Sequence, residues 1–321
     1  MLRRKVEMGN PISSLEQLRK QQRTKKRLTE NINLMVFLLP TFVFVVVFIA
    51  FPVVYSGFLS FTKFKFGIDS APKFIFLKGY IERFTSDSLF MESLKNQLVF
   101  ASLYFTITFT LSLILAILIN ELTFGVQTFQ VIFYMPMIIP LSLVGITFAW
   151  LLSPINGFVN IIIRNLTHNV RFMFDWYQEP KTALIGIVIA RSWKMVGFTL
   201  IIFVAGLKGI PKSLREAARV DGATFWQEIW KIIIPNLKPY MLISSIWILI
   251  NSLKVFDLVR VITEGGPGVR TYMLYYYSWK LAFERMDLGQ ASQVAYITAG
   301  IILIFTVVLN QIFKPETAER G

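Results

Sequence analysis

The chain has 321 residues, 55% of them hydrophobic, and its mean hydropathy of +0.58 is too high for an ordinary soluble domain. The formal net charge is +14, but the basic residues lie around long apolar runs, so we expect no nucleic-acid partner. Cysteine is absent and His168 is the only histidine. We therefore expect no disulfide, no metal site and no catalytic residue of either type.

Uncharged stretches long enough to cross a bilayer recur along the chain. A helix needs about 20 mostly apolar residues to cross the hydrocarbon core. We predict an all-α integral membrane protein with six transmembrane helices, at about 34–56, 97–119, 127–152, 182–207, 237–256 and 290–313. Ser153, Pro154, Asn156 and Gly157 are expected to break the helical pattern after the third span.

The basic residues indicate an orientation. Six spans place both termini on one side of the membrane, and Lys and Arg are enriched in cytoplasmic loops. The basic run 23–27 comes shortly before the first span. We therefore place both termini in the cytoplasm, with a basic N-terminal segment 1–33, a transmembrane domain 34–313 and a tail 314–321. Residues 1–33 could lie on the membrane surface as a helix or form a solvated tail.

The loop 208–236, between the fourth and fifth spans, predicts two short helices. Ser213 and Glu216 have the spacing of a capping box. Asp221 followed by Gly222 supplies a left-handed turn that ends the first helix.

The second helix of this loop is predicted to begin after the capping residue Thr224 and to stop at Pro235. Small and charged residues of the loop could form a docking surface for a partner: Arg215, Glu216, Ala217, Ala218, Arg219 and Ala223. A helical hairpin on the membrane surface, with Glu216 serving only as a cap, explains the same pattern.

This loop resembles the EAA loop of ATP-binding-cassette importer permeases. The residues that carry the resemblance are Glu216, Ala217, Ala218, Asp221, Gly222, Ala223, Ile234, Pro235 and Pro239. Flanking residues follow the pattern of sugar permeases of the maltose type, namely Ala205, Gly206, Leu207, Ile210 and Pro211 before the loop and Phe256, Asp257, Thr263, Gly265, Gly266, Pro267 and Thr271 after it. Ile233 and Glu264 depart from that pattern.

The resemblance implies a permease subunit of an ATP-driven, binding-protein-dependent importer for a sugar or oligosaccharide, in the bacterial cytoplasmic (inner) membrane. It implies three partners: an ATP-binding subunit dimer, a second permease subunit and an extracytoplasmic solute-binding protein. The chain is then not an enzyme and binds no cofactor. ATP and Mg²⁺ would bind the partner ATPase, because the chain has no phosphate-binding GxxxxGK[ST] sequence.

The resemblance also assigns roles to residues of the loop. The ATPase-coupling residues would be Arg215, Glu216, Ala217, Ala218, Asp221, Gly222, Ala223 and Pro235. Glu216 would pair with a basic group of the ATPase, and Gly222 would permit the turn.

Basic residues inside the fourth and fifth spans indicate a substrate pathway, because a Lys or Arg at the bilayer centre costs about 2.5–3.5 kcal/mol. The candidate pathway residues are Arg191, Trp193, Lys194, Phe198, Trp247, Asn251 and Lys254. A pathway this basic favours an acidic sugar, such as a uronate oligomer. Arg191 and Lys254 could instead snorkel to the outer interface, Lys194 could contact the second permease, and the tryptophans could face lipid.

Two other functions fit a multi-span chain. A secondary active transporter would usually carry acidic or histidine residues in its spans for ion coupling, whereas the charges here are basic. A non-catalytic membrane scaffold would leave the EAA-like residues unexplained.

Overall fold

A computed structural model describes residues 35–122 and 124–313. The predicted segments 1–33 and 314–321 lie outside the described residues. The chain divides into two compact units, Met1–Phe58 and Leu59–Gly321. Most of helix α1 (Met35–Ser60) belongs to the first unit. Its π-helical turn at Val46–Ala50 comes just before Pro52, which has no backbone N–H to donate to the helix.

The second unit is built almost entirely of helices. In chain order its elements are β1 (Thr62–Lys63), β2 (Lys73–Phe74), α2 (Lys78–Thr85), α3 (Ser88–Asn120), α4 (Val126–Ile138), α5 (Leu141–Leu151), α6 (Phe158–Thr167), α7 (Ala183–Gly209), α8 (Lys212–Val220), α9 (Phe225–Leu253), α10 (Leu274–Trp279) and α11 (Leu288–Ile312). The two strands pair antiparallel, with Thr62 opposite Phe74.

Long apolar helices dominate the described residues. Five of them, α1, α3, α7, α9 and α11, are long and apolar enough to cross a membrane, and a sixth span results if α4 and α5 together count as one. This confirms an all-helical membrane protein with five or six apolar spans. The chain between α5 and α6 is non-helical, as predicted from Ser153–Gly157.

A sharper break, which the sequence analysis missed, lies within the predicted third span 127–152. Helices α4 and α5 meet at an angle of 97°. Ile139 is extended there, because the following Pro140 disfavours a helical conformation at the preceding residue.

Helix α7 is the centre of the second unit and packs against α3, α4 and α9. Glycines allow two close crossings. A Cβ at Gly197 would lie 1.8 Å from the Phe133 carbonyl oxygen of α4, and a Cβ at Gly206 would lie 2.7 Å from the Tyr240 ring of α9. Ser112 Oγ of α3 donates to the Val196 carbonyl of α7 at 2.9 Å. These contacts fix the helices that carry the candidate site residues.

Candidate functional site

Helix α8 begins differently from the prediction. It starts at Lys212 with Pro211 as its N-cap, and no side chain caps it. The predicted capping box of Ser213 and Glu216 is therefore wrong, because Ser213 lies inside the first turn and Glu216 one turn further along. The Glu216 side chain is consequently free to face outward.

The C-terminal end of α8 forms the predicted left-handed turn. Gly222 has φ +82°, its N–H donates to the Arg219 carbonyl at 3.1 Å, and the Ala223 N–H donates to the Ala218 carbonyl at 2.9 Å. This pair of bonds is a Schellman motif. A Cβ at Gly222 would meet nothing within 4 Å, so glycine is needed there only for its backbone conformation.

Thr224 caps α9 as predicted. Its N–H donates to Gln227 Oε1 at 2.8 Å, and its hydroxyl accepts from the Gln227 N–H at 3.4 Å. The predicted stop at Pro235 is wrong, because α9 continues to Leu253. A π-helical turn at 229–233 precedes the proline. The side-chain amide of Asn236 donates to the Ile232 carbonyl at 2.7 Å. The helix therefore passes through Pro235 without ending.

Two acidic residues that the sequence analysis missed hold the inner side of α8. Glu121 caps the C-terminal end of α3, and Glu228 lies in the first turn of α9 with 2% of its surface exposed. Arg215 donates from Nη2 to Glu121 at 2.5 Å and from Nε to Glu228. Arg219 Nε donates to Glu228 Oε2 at 3.0 Å and its Nη2 lies 3.6 Å from Glu121 Oε2. We call these four residues the α8 clamp.

Electrostatics within the α8 clamp favour the charged form of Arg215. Burial alone would lower the pKa of Arg215, but hydrogen bonds and attraction from Glu121 and Glu228 outweigh it, so the pKa of Arg215 is raised. Glu228 also benefits from its place at the N-terminal end of α9, where the helix dipole favours a negative charge. A lone acid at the start of an apolar helix was the available sequence signal for Glu228.

The remaining predicted coupling residues take no part in the α8 clamp. Glu216, Ala217, Asp221, Gly222 and Pro235 are exposed. Ala218 and Ala223 are half-buried. No residue in the described ranges forms an ion pair with Glu216. Arg215 thus differs from the rest of the predicted coupling residues, since its charge is engaged within the chain.

Four of the predicted pathway residues come together between α7 and α9. Arg191 is 4% exposed and donates from Nη2 to Asn251 Oδ1 at 3.1 Å. Its Nε has no hydrogen-bond partner within the part of the chain that the structure describes. Further along the same two helices, two turns from Arg191 and one turn from Asn251, the rings of Phe198 and Trp247 lie 5.0 Å apart, and Trp247 is partly exposed.

Lys194 lies apart from that group, although it follows Arg191 by three positions. Its Nζ donates to the carbonyls of Pro136 at 3.3 Å and Met137 at 2.7 Å, and also to that of Ile139. Lys194 therefore binds backbone carbonyls at the α4–α5 break, where Pro140 has no N–H to donate to them.

The other two predicted pathway residues are also separate. Trp193 is half-exposed and packs on Phe148 of α5, with ring centroids 5.6 Å apart. Lys254 is exposed and caps the C-terminal end of α9. Neither residue contacts Arg191 through a bond that the structure describes. Across residues 35–122 and 124–313, no group of three or more His, Cys, Asp or Glu side chains could hold a metal ion.

Comparison with known proteins identifies the family. Residues 108–315 match the family described as binding-protein-dependent transport system inner membrane component. The chain belongs to this family. A probable ABC transporter permease protein of Pyrococcus horikoshii is 30% identical over 288 residues, which cover 89% of this chain and 97% of that protein.

Two further relatives are informative. The trehalose/maltose transport system permease protein MalF of Thermococcus litoralis is 36% identical over 134 residues, which are 42% of this chain and 45% of that protein. A solved chain of a bacterial ABC transporter involved in the import of the acidic polysaccharide alginate has a TM-score of 0.77 and 24% identity, over 92% of this chain and 99% of that chain. That structure shares the fold.

Family membership fixes the coarse function. This protein is a multi-pass inner-membrane permease subunit of a binding-protein-dependent ABC importer, and ATP is hydrolysed by a separate subunit. The resemblance drawn from the EAA-type loop is thereby confirmed as to family. A secondary active transporter and a membrane scaffold are set aside as alternatives.

The bonds of Lys194 predict a structural role that a stability measurement can check. Lys194→Met should lower the free energy of unfolding by about 3 kcal/mol, because buried carbonyls lose a charged donor. Lys254→Met, which removes an exposed lysine, should change it by less than about 1 kcal/mol. Denaturant unfolding in detergent measures both. Equal stability of the two variants would contradict the role given to Lys194.

Proposed function

We propose that this permease moves a sugar or an oligosaccharide across the membrane together with a second permease subunit of different sequence. The substrates in the name of the relative MalF, trehalose and maltose, support a carbohydrate. So does the maltose-type pattern of residues around the EAA-like loop. An extracytoplasmic solute-binding protein delivers the substrate to the segments 57–96, 153–181 and 257–290.

The orientation follows from the basic residues. Both termini and the loop 208–236 lie in the cytoplasm, with 1–33 as a basic N-terminal segment, 34–313 as the permease domain and 314–321 as a tail. The basic run 23–27 before the first span supports this placement.

The exposed face of α8 is the docking surface for the ATP-binding subunit dimer. Small side chains at Ala217 and Ala218 permit close approach, and the exposed Glu216 is available to pair with a basic group of the partner. The contrast with Arg215, whose charge is satisfied inside the chain, is the observation that carries this assignment. ATP and Mg²⁺ bind to the ATP-binding subunits and not to this chain.

Transport follows from movement of the docked helix. Closure of the ATP-binding dimer on ATP shifts α8, and the pathway between the two permeases changes from inward-facing to outward-facing. This is rigid-body alternation driven by the different affinities of the two conformations for nucleotide states.

The substrate is an acidic sugar of the uronate class. Arg191 carries an unpaired Nε inside the α7–α9 contact, and Lys254 adds an exposed cation at the end of α9. Different carboxylates of a uronate oligomer would pair with these two separate cations, while the partly exposed ring of Trp247 offers a face for stacking on a pyranose. Lys194 takes no part, because its bonds go to backbone carbonyls.

Gly222 tests the docking turn. Gly222→Val forces a β-branched residue into the left-handed region at φ +82° and should shift α8. We expect the complex to assemble in the membrane but uptake per ATP hydrolysed to fall several-fold. Gly222→Asn is the matched control, because asparagine tolerates this conformation and should keep nearly normal coupling. Normal transport by Gly222→Val would count against the docking model.

Arg191 and Lys254 test the substrate class. In vesicles holding the complete importer, Arg191→Gln with Lys254→Gln should reduce uptake of a uronate oligosaccharide by about ten-fold, since charge-assisted bonds to the carboxylate are lost. Arg191→Lys, which keeps a positive charge, should retain more activity. The exposed Lys208→Gln serves as control. Unchanged uptake of the anionic sugar in the double variant removes the acidic-substrate proposal.

A further inference from the structure

The α8 clamp joins the consecutive helices α8 and α9 to α3, which is distant from them in sequence. Arg215 and Arg219 lie on α8, Glu228 lies at the start of α9, and Glu121 lies at the end of α3. Each arginine contacts both acids, so the four charges form one network. A movement of α8 relative to α3 or α9 must break at least one of these contacts.

The members of the α8 clamp are not equally buried. The Glu228 side chain is 3% exposed and that of Arg215 is 18% exposed, whereas Arg219 is 54% exposed. Water screens an exposed pair, which therefore contributes little, but removing one partner of a buried pair leaves an uncompensated charge. Most of the rigidity therefore comes from the bond between Arg215 and Glu228.

Glu121 extends the network to a second span. A carboxylate at the C-terminal end of a helix is unfavourable next to the helix dipole, and the 2.5 Å bond from Arg215 offsets this. Helix α3 packs along α7, which carries Arg191. The start of α9 continues in one helix to Asn251, through the π-helical turn at 229–233. Both helices that receive the clamp thus lead to the candidate substrate pathway.

We propose that the α8 clamp consists of positioning residues, namely Glu121, Arg215, Arg219 and Glu228. They make α8 move as one body with the ends of α3 and α9. A displacement of the docked helix therefore reaches two spans at once. This rests on the proposed docking of α8 to an ATP-binding subunit. The exposed face of α8 receives the force, and the clamp on its opposite side transmits it.

The test compares variants of the complete importer in proteoliposomes. Glu228→Gln should still assemble with the ATP-binding subunits and hydrolyse ATP, but uptake per ATP should fall by about ten-fold because the buried pair is lost. Arg215→Gln should resemble it. Arg219→Gln, at the more exposed position, should lose less. Lys231→Gln, an exposed charge one turn along α9, is the control and should behave like the unmodified protein.

A distance measurement separates transmission from a general structural defect. The chain has no cysteine, so spin labels at Ser213→Cys on α8 and Leu118→Cys on α3 are specific within this subunit. With the clamp intact, their distance should keep one narrow distribution in the nucleotide-free and ATP-bound complexes. Glu228→Gln should broaden it. If Glu228→Gln does not assemble, Glu121→Gln, at a side chain 35% exposed, provides the same measurement.

The outcomes distinguish this proposal from the docking model. Normal uptake per ATP in Glu228→Gln, or an unchanged label distance, overturns the clamp while leaving docking intact. Loss of the ATP-binding subunits from Glu121→Gln also overturns it, because the clamp predicts retained docking. A different variant tests the docking model itself. Normal assembly and normal uptake by Glu216→Arg, which reverses the exposed charge, would show that the docking model is wrong.

Discussion

A helix in a bilayer must satisfy its backbone hydrogen bonds from within the protein, because the hydrocarbon core offers no water. Two irregular points of this permease meet that requirement with a specific side chain. Lys194 binds the carbonyls released where α4 gives way to α5. The Asn236 amide bonds the Ile232 carbonyl beside Pro235. At these two points, carbonyl oxygens near a proline therefore have a side-chain donor.

The same constraint applies to charges and gives α8 two different sides. Arg215 and Glu228 can be buried because they bond one another, whereas Glu216 remains in contact with solvent. A helix with its inner charges satisfied and its outer charge available suits a surface that another subunit contacts. The small Ala217 is exposed on the available side, so close packing against it needs no rearrangement of the clamp.

Local chemistry was readable from the sequence in part, since the capping box of Ser213 and Glu216 was wrong, and long-range pairing was not readable. The left-handed turn at Gly222 and the cap at Thr224 depend on residues a few positions apart, and both predictions were confirmed. Arg215 bonds Glu121 across 94 positions, and no local pattern indicates such a partner. Lys194 was predicted to line a pathway because charge in a span is costly, but that cost is met by carbonyls 55–58 positions away.

Predictions of where helices end were only partly correct, and the reason is related. The interruption after α5 was readable because polar and turn-forming residues cluster there. At Pro235 a proline predicted a helix end that the neighbouring π-helical turn prevents, and the bend at Pro140 was missed within an uncharged apolar run. Whether a proline ends, bends or leaves a helix intact depends on which groups take up the released carbonyls, and tertiary contacts decide that.

The central claim is that the outer face of α8 contacts a separate ATP-binding subunit. A photoreactive probe on Ala217→Cys in the assembled importer tests it most directly, with His168→Cys, exposed after α6, as the comparison site. The account predicts a covalent adduct between the ATP-binding subunit and the probe at position 217, and none from position 168. No adduct from position 217, or equal adducts from both positions, would contradict it.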